Sequence, residues 1–83
     1  MDKDYIWMIK GSQRRKIISV MSKRKIPTQI KNDTDLSLNN VSDVLRNFRQ
    51  KGIVKCLNPE SKTGRIYELT KKGLKIREEY LKD

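Results

Sequence analysis

Residues 36–57, LSLNNVSDVLRNFRQKGIVKCL, hold the reading that decides the fold. Leu38, Val41, Val44, Leu45 and Phe48 recur at spacings of three and four, the period of a helix that buries one face. Ser37 stands where an N-cap belongs. Lys51-Gly52 supplies a cation for the negative end of the helix and a residue able to turn out of it. The segment predicts a helix over 38–51, and the β-prone run Ile53-Val54-Lys55-Cys56-Leu57 that follows predicts a strand.

Toward the C-terminus, Asn58-Pro59-Glu60-Ser61-Lys62-Thr63-Gly64 is loop composition, and Arg65-Ile66-Tyr67-Glu68-Leu69 is a second strand-like run. The pair reads as a hairpin with a long basic loop. Thr70 is placed to cap a last amphipathic helix over 71–81 that carries Leu74, Ile76, Tyr80 and Leu81, in spite of Gly73 in its first turn. Toward the N-terminus, Tyr5-Ile6-Trp7-Met8-Ile9 reads as a brief packing element ended by Gly11. Ser12 reads as the N-cap of a helix over 12–22 with Ile17, Ile18 and Met21 on its inner side. After the basic run Lys23-Arg24-Lys25, Pro27 disfavours helix for the residue before it and Thr28 caps a short helix over 28–34 with Ile30 inward. The predicted core is Ile17, Ile18, Met21, Ile26, Ile30, Leu36, Val41, Leu45, Phe48, Ile53, Ile66 and Leu69.

Composition bounds the chemistry. The chain has 83 residues, enough for a single module spanning 1–83, and 20 Lys+Arg against 10 Asp+Glu give a formal charge of +10. It contains no His and one Cys, which leaves no means to build a conventional zinc finger, a disulfide framework or a His-based triad. Phosphate-cradling glycine loops, paired carboxylates and nucleophile motifs are absent as well, so the expectation is a binding protein, not an enzyme, with no cofactor and no metal. Cys56 has no second soft ligand nearby in sequence. No stretch approaches the length of a membrane span, and Met1-Asp2-Lys3-Asp4 lacks the basic start and apolar run of a signal peptide. These features predict a cytoplasmic, nucleoid-associated protein whose Cys56 stays a thiol. So large a positive charge attracts polyanions, nucleic acid first and an anionic membrane second, although solubility alone is the simpler reading of the same charge.

Helix, helix, turn, helix, then a hairpin is the order of a winged helix-turn-helix: mainly α, with one small antiparallel hairpin or wing at about 53–69. Pro27-Thr28-Gln29-Ile30, Leu36-Ser37-Leu38-Asn39-Asn40-Val41-Ser42, Lys51-Gly52-Ile53-Val54 and Gly64-Arg65-Ile66-Tyr67-Glu68-Leu69-Thr70-Lys71-Lys72-Gly73 extend that order. Together they resemble small archaeal winged-helix transcriptional regulators related to the ArsR and MarR groups. The resemblance implies double-stranded DNA binding, with the helix over 38–51 in the major groove and the wing beside it. Winged helices also serve as protein-docking modules, and a nonspecific chromatin-type coat is a further alternative, so the site must carry the argument.

At about 100° per residue with Val41 at zero, Asn39, Asp43, Arg46 and Gln50 fall between about 140° and 200°, opposite the apolar stripe. Asn40 and Asn47 flank that face on one side, Ser42 and Arg49 on the other. Asn pairs bidentately with adenine, Arg with guanine, and Asp accepts from cytosine, so Asn39, Asn40, Ser42, Asp43, Arg46 and Asn47 are candidate base readers. Asn is a poor helix former, which argues against a face selected only for stability, although Asn39 and Asn40 also suit the backbone at a helix start. Lys62 and Arg65 on the wing, Arg14 and Arg15 in the first turn of the helix over 12–22, and Thr28 and Gln29 complete the candidate DNA-binding set; an Arg at the wing tip resembles the family's minor-groove contact, although Arg65 also suits a pairing across the hairpin. Positive charge at a helix N-terminus is unfavourable, so Arg14, Arg15 and Lys16 need a compensating partner, which a phosphate would supply unless the side chains lie over the core edge or pair with Asp2, Asp4 or a C-terminal acid. Trp7, Phe48 and Tyr67 read as packing residues, since single-strand RNA platforms alternate aromatics along a strand. Tyr5, Ile6 and Trp7 at one end and Ile76, Tyr80 and Leu81 at the other either pair between two chains, giving a homodimer, or pack on each other within one.

Overall fold

The computed structural model describes residues 2–82. Five helices and one hairpin follow in the order α1 (Lys3–Ile9), α2 (Ser12–Val20), α3 (Pro27–Thr34), α4 (Leu38–Gln50), β1 (Val54–Cys56), β2 (Tyr67–Leu69) and α5 (Lys71–Lys82). α2, α3 and α4 pack on one another, α1 and α5 close over α2, and the hairpin lies between α4 and α5.

α4 forms as its spacing predicts. The Ser37 hydroxyl accepts from the Asn40 N–H at 3.1 Å, Val41, Val44, Leu45 and Phe48 are buried, and Gly52 takes a φ of +74° as the chain turns out. Leu38, assigned to the same stripe, is instead 45% exposed, because it is the first residue of the helix and lies beyond the packed face. Two helix starts also differ from expectation. Ser12 is the first helical residue of α2, and extended Gly11 is the N-cap, since Lys10 and Gly11 are all that separates α1 from α2. For α3 the N-cap is Ile26, not Thr28. Pro27 takes the first helical position, where its missing N–H costs nothing, and Gln29 Oε1 accepts from the Ile26 N–H at 2.9 Å. The Thr70 hydroxyl caps α5 as expected, accepting from the Gly73 N–H at 3.1 Å.

β1 and β2 pair antiparallel with Val54 opposite Leu69, Lys55 opposite Glu68 and Cys56 opposite Tyr67. Lys25 adds a third, one-residue rung, exchanging backbone hydrogen bonds of 2.9 Å with Tyr67 in both directions. The strands are shorter than the runs that predicted them. Tyr67 and Leu69 face the core, so alternation turns Ile66 away, which is why Ile66 is only half-buried. Ile26 and Leu36 are half-buried too, and Tyr5, Met8, Val44, Val54, Tyr67 and Ile76 join the core in addition to the residues expected there. Tyr5 and Ile76, assigned to spare end surfaces, therefore belong to the chain's own interior. Leu74 and Leu81 stay exposed on α5.

α1 is fixed by polar contacts as well as by Tyr5 and Met8. Trp7 meets Phe48 edge-to-face at 5.8 Å, with the Arg14 guanidinium 4.1 Å and the Lys51 ammonium 4.8 Å from its ring centroid. Asp4 pairs with Lys72, and with Lys51 at 3.8 Å. The hydrogen bond from Lys72 and the charges of Lys72, Lys51 and Lys3 hold the Asp4 carboxyl below its usual 3.8, against a smaller opposing effect of burial. A depressed pKa adds stability that is present above the unfolded value and is lost as pH falls through the folded one. Wild type and Asp4→Asn should therefore differ in thermal midpoint at neutral pH and converge in acid, below pH 3.8. A constant difference across that range would show that Asp4 acts by packing.

Candidate nucleic-acid interface

α4 presents Asn39, Ser42, Asp43, Arg46, Asn47, Arg49 and Gln50 to solvent, with Asn40 half-buried beside its cap. A groove runs along each side of this face. The first, of about 310 Å³, separates α4 from the hairpin loop and is lined by Pro27, Ser42, Arg46, Arg49, Lys62, Gly64, Arg65 and Tyr67. Four cations from two elements thus converge on one cleft, which no acid among the described residues lines. The second groove lies between α4 and the start of α2, lined by Gly11, Ser12, Gln13, Arg14, Asp43, Val44 and Asn47. Asp43 bridges Arg46 at 3.2 Å across the ridge between them, with both side chains largely exposed.

The structure brings Ser42, Arg46, Lys62 and Arg65 into one cleft and Asp43, Asn47 and Arg14 around the other. Thr28 is exposed in the first turn of α3 beside Pro27, while Gln29, also exposed, is engaged by the Ile26 N–H. Arg49 was placed on the flank of α4 without being counted as a contact. The structure seats it in the cleft, and the signal was its position seven residues, two helical turns, after Ser42. Arg14 and Arg15 find their compensation inside the chain. Arg14 Nη1 donates to Trp7 O at 2.6 Å and Arg15 Nη1 donates to Ile9 O, so the negative end of α1 offsets charge at the positive end of α2. Arg77 makes the same kind of contact at the end of α2, donating to Ile18 O and Ser19 O at 3.1 Å. Lys16 is exposed.

The hairpin loop is held from within. Asn58 Oδ1 accepts from the Ile66 N–H at 2.7 Å, its Nδ2 donates to Gly64 O at 3.2 Å, and Arg65 Nε donates to Ser61 O at 2.8 Å. Among the described residues no group of Cys, Asp and Glu is arranged to hold a metal ion, and no helix is long and apolar enough to cross a membrane.

A family model described as winged helix-turn-helix matches residues 15–82. The chain belongs to the winged helix-turn-helix family. Among solved structures, this winged helix is similar to the reduced form of MarR from E. coli, with 25% identity and a TM-score of 0.75, covering 92% of this chain and 59% of that one. The apo form of wild-type E. coli MarR superposes with a TM-score of 0.69 at 22% identity over the same shares. The winged helix thus spans 59% of the MarR chains it matches. No curated protein matches it. In the terms of the family, α3 and α4 form the helix-turn-helix and the β1–β2 hairpin is the wing.

Proposed function

We propose that this winged helix is a transcriptional regulator, related to the MarR and ArsR groups, that binds double-stranded DNA with sequence preference. α4 enters the major groove and the wing lies alongside it. The observation that carries the reading is the cleft in which Arg46 and Arg49 of α4 face Lys62 and Arg65 of the wing, with no acid of the described residues in its lining. Cations converging from two elements fit a phosphate backbone that passes between helix and wing, whereas charge serving only solubility has no reason to converge. Ser42 and Arg46 in the cleft, Asp43 and Asn47 at the second groove and exposed Asn39 supply the donors and acceptors that distinguish base edges. Asn40, half-buried at the start of α4, and Thr28 and Gln29, exposed in the first turn of α3, complete the proposed contact set. Arg14 and Arg15, already engaged by α1, play a secondary part. The protein acts in the cytoplasm, on the nucleoid, by binding and not by catalysis.

Selection of bound fragments from random DNA tests the reading: an enriched motif supports it, affinity without a motif favours a nonspecific coat, and no retention favours protein docking. If about four to six cations displace counterions, log affinity should fall with log salt at a slope of roughly −4 to −5, and RNA duplex should bind more weakly because its deep major groove excludes a helix. A slope near zero would defeat the reading.

One winged helix contacts few base pairs, so the regulator is proposed to work as a homodimer on a palindromic site. Of the six residues assigned to that contact, Tyr5 and Ile76 are buried and Ile6, Trp7 and Tyr80 half-buried, so Leu81, 53% exposed, is the one left open, and Leu74, 54% exposed and two turns earlier on α5, joins it as the proposed contact. Sedimentation at micromolar concentration should show a species of twice 9.8 kDa. A monomer both free and on a full-length site would remove the dimer and the palindrome with it.

A further inference from the structure

We propose that Asn58 is the positioning residue of the wing: its single carboxamide pre-orders the loop that presents Lys62 and Arg65, so that both cations meet DNA already placed. The proposal rests on the DNA-binding reading. Each strand of the hairpin is three residues long, too short to order the loop beyond it. Past the paired strands the ladder continues on one side only, where the Leu57 N–H donates to Ile66 O at 2.8 Å. The Ile66 N–H, which a regular ladder would direct to a backbone carbonyl, is taken by Asn58 Oδ1 at 2.7 Å. The same side chain donates from Nδ2 to Gly64 O at 3.2 Å, and its own carbonyl accepts from the Ser61 N–H at 3.0 Å.

One residue thereby ties together the start, middle and end of the loop. Arg65 hangs on this frame, because its Nε is bonded to Ser61 O, a carbonyl in the turn that Asn58 itself closes. The chemistry calls for an amide. The side chain must accept from one backbone N–H and donate to one backbone carbonyl at once, which a carboxylate or an aliphatic group of the same size cannot do. Asn58 is not among the residues that line the cleft; it acts through Lys62 and Arg65.

The test is a cycle of four proteins: wild type, Asn58→Ala, Lys62→Ala with Arg65→Ala, and all three together, each titrated with preferred and random duplex. Two cationic side chains that must be ordered at the moment of binding cost on the order of tenfold in affinity, so Asn58→Ala should lose about that on both duplexes while base preference is kept. In the background lacking Lys62 and Arg65, Asn58→Ala should change affinity by less than about twofold, the scatter within which the effects of substitutions compare. A tenfold loss in both backgrounds would show that Asn58 acts through the fold at large, and no loss in either would show that the loop does not need it. Thermal unfolding accompanies each protein, and Asn58→Ser, which puts a short hydroxyl in place of the carboxamide, replaces alanine in the cycle, with the same expected outcomes, if the midpoint drops. Wild type that binds neither duplex overturns the DNA reading before any variant is made. Amide exchange at Ile66 then decides the hold of Asn58 on the loop by itself: faster in Asn58→Ala supports it, unchanged overturns it.

Discussion

Gly73→Ala should lower the thermal midpoint by roughly 10 °C or more, corresponding to about 2 kcal/mol in a chain of this size. On helix propensity alone the substitution would stabilise, since alanine is favoured over glycine by about 1 kcal/mol inside a helix. Packing reverses the sign. A Cβ on Gly73 would lie 2.1 Å from Ile53 O and 3.0 Å from Leu69 Cδ2. The carbonyl cannot move aside cheaply, because it also accepts from the Thr70 N–H at 3.0 Å and the Thr70 hydroxyl at 3.2 Å, the contacts that start α5. Relief requires α5 to lift off the β1 edge, which breaks that cap and loosens Ile76 and Leu69, both core residues. Overpacking against fixed backbone costs about 1–3 kcal/mol or more and here stands at the upper end, leaving a net loss after the propensity gain. Circular dichroism on heating checks it: an unchanged or raised midpoint would mean that α5 does not depend on this close approach.

Gly73 shows where the sequence was legible and where it was not. In the chain alone it is a helix-weakening residue in an otherwise amphipathic run, and only the position of the Ile53 carbonyl explains it. Gly11 and Ile26 hold the cap positions expected of Ser12 and Thr28, but the other local signals were readable: the stripe of α4 from Val41 to Phe48, Ser37 and Thr70 as caps, the order of helices and hairpin. Signals that depend on a second element were not. Ile66 follows the same β-prone pattern as its neighbours, and its half-exposure comes from the inward register of Tyr67 and Leu69. Lys25 sits in a basic run that gives no hint of a strand, yet it pairs with Tyr67. In the chain alone, Arg14 and Arg15 are charges in need of a partner, for which the sequence offers a phosphate or an acid. The partner is the carbonyl end of α1, visible only once the two-residue link folds one helix against the next. For the candidate site, the helical wheel placed Ser42 and Arg46 on or beside the outward face. The meeting of that face with Lys62 and Arg65 required the hairpin to fold back over it.

Arg46→Ala should cost on the order of 1–3 kcal/mol on the preferred DNA site and flatten discrimination at one base pair, as expected for loss of a bidentate contact to guanine. Arg46 lies where the cleft meets the outward face of α4: it lines the groove with Ser42 and Arg49 and bridges Asp43 at 3.2 Å. The bridge does not prevent reading, since both side chains are more than 60% exposed and ion pairs of that kind are worth about 1 kcal/mol at most. It does complicate a single substitution, because removing Arg46 leaves the Asp43 charge unpaired on a face meant for a polyanion and weakens every duplex somewhat. The double variant Asp43→Ala with Arg46→Ala removes that repulsion, so random DNA should recover in it while the preferred site does not. Arg65→Ala and Lys62→Ala provide the contrast, each weakening all sequences alike and reducing the salt slope by about 1. The comparison turns on a ratio and not on an affinity: if Arg46→Ala lowers binding to preferred and random DNA equally, in the single and the double variant, Arg46 is one more phosphate contact. The cleft then serves a coat that binds DNA without reading it.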